Sequence, residues 1–99
     1  MIEIKREKDG VTMKGHAGYA PHGQDIVCAA VSVLMQTLIQ SIEELTSDPI
    51  NYYILPGDVK IKYWCLSDVT KALINAFFIG IAGIAEAYPD YVRVINEAE

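Results

Sequence analysis

Ile2, Ile4 and Arg6 alternate with Glu3, Lys5 and Glu7, the two-residue period of a half-buried strand. Asp9-Gly10 is a hairpin signal. Val11, Met13 and Gly15 continue the alternation as a second strand ending near His16. Residues 18–24 hold two glycines and a proline and read as a loop. Asp25 fits a helix N-cap. After it, apolar residues fall at 27, 28, 31, 34, 35, 38, 39, 42 and 45, the spacing of an amphipathic helix over Ile26–Leu45. Ser47-Asp48-Pro49 ends that helix. Ile50–Leu55 is apolar and aromatic and reads as a short strand, and Pro56-Gly57-Asp58 as a turn. Val59, Ile61, Tyr63 and Cys65 alternate with Lys60, Lys62 and Trp64, which predicts a strand with Cys65 in the core.

Ser67 or Asp68 caps a second predicted helix that runs to about Tyr88, where Pro89 stops it. Its stretch Leu73–Ile84 is apolar almost all round, the mark of a helix central to the core or covered by a partner. Tyr91–Ile95 reads as a last strand. The order implies a single α+β domain over residues 1–99: an antiparallel sheet with two helices packed on one face. A chain of 99 residues has little material to bury both sides of a helix, so a homodimer is expected.

Composition narrows the partners. Hydrophobic residues make up 52% and charged residues 21%, which excludes intrinsic disorder. The net charge is −5. No basic footprint for nucleic acid is present, and the balance suits a basic partner. The N-terminus lacks the apolar segment of a secretory signal. The longest nearly apolar run, Ala72–Ala85, is shorter than a bilayer span. The expectation is a cytoplasmic protein with reduced thiols and no membrane partner.

The residues that carry chemistry lie between 15 and 32. His16 ends a strand, and Cys28 falls in the first turn of a helix capped by Asp25. The thiolate is the nucleophilic form of cysteine, and a helix N-terminus with a nearby imidazolium favours it. A cysteine nucleophile also needs a base within reach. Free N–H groups of a first helical turn can hold an oxyanion. Gly18 and Gly23 permit close approach of the loop to a substrate or its closure over one. The plainer alternatives stay open. Cys28 also reads as a small buried hydrophobe, Asp25 as a cap alone, and Ser32, one turn after Cys28, as a hydroxyl bonded to the preceding turn. His22 reads as a solvated loop residue. Tyr52, Tyr53 and Tyr63 read as core or interface aromatics, and Trp64 as either a dimer contact or a substrate platform. His16, His22, Cys28 and Cys65 lack the short spacing of a structural zinc site. No phosphate-binding glycine motif occurs. No metal or cofactor is therefore expected.

The run Gly15-His16-Ala17, the loop containing Gly23, and then Asp25-Ile26-Val27-Cys28-Ala29-Ala30 with Ser32 resemble the Prp family of ribosomal-processing cysteine proteases. The resemblance implies a homodimeric protease with a Cys–His dyad. Its substrate would be the short N-terminal extension of large-subunit ribosomal protein twenty-seven, cut after a Phe-Phe-Ala type of segment. It casts Cys28 as nucleophile and His16 as general base, with Asp25 and Ser32 in support. Gly15 and the loop 18–24 would shape the cleft. A non-catalytic module that docks on a ribosomal protein is the competing reading, and tolerance of Cys28 loss would distinguish it.

Overall fold

The N-terminal alternation forms the first hairpin in a computed structural model that describes residues 1–98. Strand β1 (Ile2–Glu7) and strand β2 (Gly10–Lys14) pair antiparallel, with Glu7 opposite Gly10 across a two-residue turn. Helix α1 spans Ile26–Leu45, with Asp25 as its N-cap and Thr46 as its C-cap. Strands β3 (Ile50–Leu55) and β4 (Asp58–Tyr63) form a second hairpin. Helix α2 (Asp68–Ala87) is capped by Ser67 and leads to strand β5 (Val92–Glu97). Each strand and helix expected from the residue pattern is present.

The five strands form one sheet in the order β3-β4-β2-β1-β5. Three of its pairings are antiparallel, as the α+β reading expects, but β5 runs parallel to β1, with Ile2 opposite Val92. The sheet is therefore mixed. The reason is topological. A parallel neighbour requires a crossover connection, and α2 supplies it by carrying the chain from β4 past β2 and β1.

One face of the sheet buries Ile2, Ile4, Val11, Met13, Val59, Ile61, Tyr63 and Val92. All but Tyr63 are paired with another of the group in the register, as Ile2 with Val92, Ile4 and Val59 with Met13, and Val11 with Ile61. Against them α1 lays Val27, Val31, Met35, Leu38, Ile39 and Ile42, and α2 lays Ile74, Phe77 and Ile81. The opposite face is charged, with ion pairs Lys14–Asp58 (3.2 Å), Lys5–Glu97 (3.8 Å) and Glu3–Arg93. Both helices are 20 residues long and apolar enough by length and composition to cross a membrane, yet each sets a buried stripe on the sheet. The all-round apolar stretch of α2 is not central to the core, since Ile79 is 75% exposed.

Strand β4 stops short of the predicted Cys65. Tyr63 donates its N–H to the Asp9 carbonyl (2.9 Å), closing the ladder at the first hairpin turn. The chain must then leave the sheet to reach the Ser67 cap, which Asp48 holds through the Ser67 N–H (2.8 Å) and hydroxyl (2.7 Å). That departure puts Cys65 in the left-handed region (φ 52°) and leaves it exposed. Cys65 is not a core residue. Of the three tyrosines, Tyr63 is buried, while Tyr52 and Tyr53 are exposed on the edge strand β3.

Candidate active site

His16 follows β2, and its backbone is held from two sides. The main-chain nitrogen of Met1 donates to the His16 carbonyl (2.7 Å), and the Gly15 N–H donates to the Gly57 carbonyl (2.9 Å). Gly15 itself is left-handed (φ 95°), and a Cβ there would stand 2.4 Å from the Met1 carbonyl oxygen. Only a glycine fits this junction, where the chain leaves the sheet and turns toward α1.

Cys28 occupies the third position of α1, half-buried against the core. Asp25 organises the ground around it. One carboxylate oxygen accepts the Cys28 N–H (2.9 Å), which makes the cap. The other accepts the N–H groups of Tyr19 (3.0 Å) and Ala20 (3.5 Å). These bonds, that of Cys28 foremost, hold the Asp25 carboxyl below its ordinary pKa. One side chain thus caps the helix and fastens the start of the glycine loop to it. Tyr19 is fastened further by edge-on packing on Tyr88 (5.5 Å) and Tyr91 (5.1 Å). Asp25 is committed to backbone N–H groups and makes no hydrogen bond to His16 among the described residues. Its grip also removes the Cys28 N–H as a free oxyanion donor.

His16 and Cys28 line the same two adjoining cavities, together with His22 and Ser32. The first, of about 600 Å³, lies under the loop and adds Gly18, Gly23, Asp25 and Ile26. The second, of about 360 Å³, runs between α1 and the β3–β4 hairpin, and is walled by Gly15, Met35, Ile54, Leu55, Pro56 and Val59. Every residue that the sequence singled out for the site, Gly15, His16, Gly18, Gly23, Asp25, Cys28 and Ser32, therefore borders one cavity or both. Such a site offers a thiol, an imidazole and an apolar recess in contact with solvent, the components of thiol acyl transfer on a peptide. Among the described residues no group of His, Cys, Asp and Glu is arranged to hold a metal ion.

Two contributions escaped the sequence. His22 is exposed, as expected, but it borders both cavities. The hairpin residues Ile54, Leu55, Pro56 and Gly57 form a whole wall of the second cavity. The Pro56-Gly57 turn was legible. Its position beside His16 was not, because it depends on β4 pairing with β2.

The family model described as cysteine protease Prp matches residues 1–93. The ribosomal processing cysteine protease Prp of Mycoplasma genitalium is 32% identical, over 98% of this chain and 96% of its own length. The protein of the same name from Staphylococcus aureus is 30% identical, over 85% of this chain and 82% of its own. A crystal structure of the S. aureus protease Prp with a covalently linked product peptide superposes with a TM-score of 0.88, at 23% identity and over 97% of each chain.

Proposed function

This chain belongs to the cysteine protease Prp family and is a cysteine protease, and we propose that it acts by a Cys28–His16 dyad on the N-terminal extension of a ribosomal protein. The observation that carries the assignment is that His16 and Cys28 border the same cavities, with an apolar recess beside them.

In this reading Cys28, as thiolate, attacks the scissile carbonyl carbon. The carbonyl electrons move onto oxygen, close to the first turn of α1. Because Asp25 occupies the Cys28 N–H, the oxyanion falls to an earlier position of that turn. Ile26, which borders the cavity, is the candidate donor. Collapse of the intermediate breaks the C–N bond, and His16 delivers a proton to the leaving amine. Water, deprotonated by His16, then attacks the thioester and frees Cys28. Asp25 holds the loop and the cap, and Ser32 provides a hydroxyl one turn below the thiol. Gly15, Gly18 and Gly23 shape the cleft.

The apolar recess of about 360 Å³ suits a hydrophobic side chain next to the cut. That fits an extension of the Phe-Phe-Ala type on large-subunit ribosomal protein twenty-seven. The names of the curated relatives, ribosomal processing cysteine proteases, support the same substrate class. The acidic balance of the chain suits a basic ribosomal protein. The protein works in the cytoplasm, without membrane or nucleic-acid contact, as a homodimer. The exposed Val33 and Ile79 offer apolar surface for the second copy.

The test is mass spectrometry of a peptide bearing a Phe-Phe-Ala type of N-terminus, incubated with the native protein and with Cys28→Ala and His16→Ala. We expect one cut by the native protein and none by either variant. Full cleavage by either variant would refute the dyad, and binding without cleavage by the native protein would favour a docking module.

A further inference from the structure

We propose that Gly57, at the tip of the β3–β4 hairpin, is a positioning residue that seats the His16 imidazole in place of an acidic third member. The inference rests on the dyad reading and names the neighbour that orients its base.

Three observations converge. The His16 backbone is fixed on both sides, by Met1 on its carbonyl and by the Gly15–Gly57 bond just before it. Only rotation of the side chain remains free. Among the described residues no hydrogen bond or ion pair engages the imidazole, and Asp25, the carboxylate that borders the first cavity with it, is taken up by backbone N–H groups. The ring instead rests with its Nε2 end against Gly57. A Cβ on that residue would lie 2.6 Å from Nε2, 3.0 Å from Cε1 and 3.2 Å from Cδ2. The ring thus fills the space that any other residue at 57 would occupy.

Gly57 is also left-handed (φ 67°), so a glycine there has a plain structural explanation as a turn residue. The two roles separate by substitution. A side chain at 57 can be relieved by swinging the imidazole away, which leaves the sheet intact and misplaces the base. Misplacement of a catalytic group by about 1 Å costs on the order of 100-fold in rate.

The experiment uses Gly57→Ala and Gly57→Asn, since asparagine tolerates the left-handed region and retains the turn. Each is made alone and with His16→Ala. Peptide cleavage gives kcat and KM. Iodoacetamide alkylation, in a Cys65→Ser background so that only Cys28 reacts, reads the thiol directly. We expect both glycine variants to lose kcat on the order of 100-fold, a larger change than that in KM. Once His16 is gone, we expect Gly57→Asn to change the residual alkylation rate by less than about 2-fold, because the two residues act as one unit. In the unmodified protein, NMR should show a proton–proton contact between the His16 ring and the Gly57 α-carbon. A folded Gly57→Asn with native kcat, or absence of that NMR contact, would overturn the proposal. Unchanged cleavage in His16→Ala would instead remove the dyad itself.

Discussion

Replacing Gly15 by alanine tests how tightly the base of the site is built. The substitution introduces two costs. A non-glycine residue in the left-handed region costs about 1–2 kcal/mol, and Gly15 lies there (φ 95°). The new Cβ would also stand 2.4 Å from the Met1 carbonyl oxygen, against 3.4–4 Å for ordinary contact. Met1 cannot simply move off. Its nitrogen bonds His16 (2.7 Å), and the next N–H, of Ile2, bonds the Tyr91 carbonyl (2.8 Å). Forcing this main chain to yield costs about 1–3 kcal/mol, the usual range for overpacking. Gly18→Ala is the matched control. Gly18 is left-handed too (φ 70°), but nothing lies within 4 Å of its Cβ position. The backbone cost and the lost freedom of the unfolded chain are common to both variants and cancel in the difference. A residual of about 1–3 kcal/mol shifts the melting temperature of a domain this size by at least about 4 °C. Thermal melts followed by circular dichroism at neutral pH measure it, with urea melts to confirm an unchanged slope. If Gly15→Ala melts at or above Gly18→Ala, the packing of the Met1 carbonyl on Gly15 does not constrain the site as argued.

Alkylation separates activation from access: Cys65 is exposed while Cys28 is half-buried, so access alone favours Cys65. Mapping by mass spectrometry at limiting iodoacetamide should nonetheless find Cys28 modified first, and equal or slower reaction at Cys28 would remove the activated thiol. Acid stability gives a further test. The Asp48 carboxyl is held below the ordinary value of 3.8 by the Thr70 hydroxyl and by the Ser67 hydroxyl and N–H, and Asp25 below the same value by its N–H partners. With folded values below unfolded ones, the unfolded chain binds more protons. The contribution is therefore complete above pH 3.8 and is lost as pH falls through the folded values. Denaturant midpoints should hold from pH 7 to about 5 and decline below about 4, with a shallower decline in Asp48→Asn. An unchanged decline in that variant would show that this carboxylate is not a source of acid sensitivity.

Local pattern made part of this molecule legible. The limits of α1 follow from the Asp25 cap, the spacing of three and four, and the Pro49 stop. Alternation at Ile2 and Ile4 marks β1 because one face is buried and the other charged. His16 and Cys28 could be joined from sequence because one short loop separates them. What escaped depends on long-range pairing. Periodicity cannot tell that β5 joins β1 in parallel, since that is decided by where α2 delivers the chain. Cys65 continues the alternation of β4 in sequence, yet the chain has already turned toward the Ser67 cap. The hairpin wall at Ile54–Gly57 reaches His16 only through the β2–β4 pairing, which no window around either segment contains.

The parallel pairing of β1 with β5 bears on how the enzyme comes into being. Ile2 finds Val92 only after nearly the whole intervening chain has been made, a contact of high sequence separation and slow closure. Until then β1 is an open edge, with unpaired main-chain groups beside the buried Ile2 and Ile4. Met1, whose nitrogen and carbonyl brace the His16 junction, is the residue before that edge, and Ile2 is anchored to Tyr91. A nascent chain that lacks its last strand therefore leaves Ile2 without its Tyr91 anchor, next to the residue that braces the His16 junction.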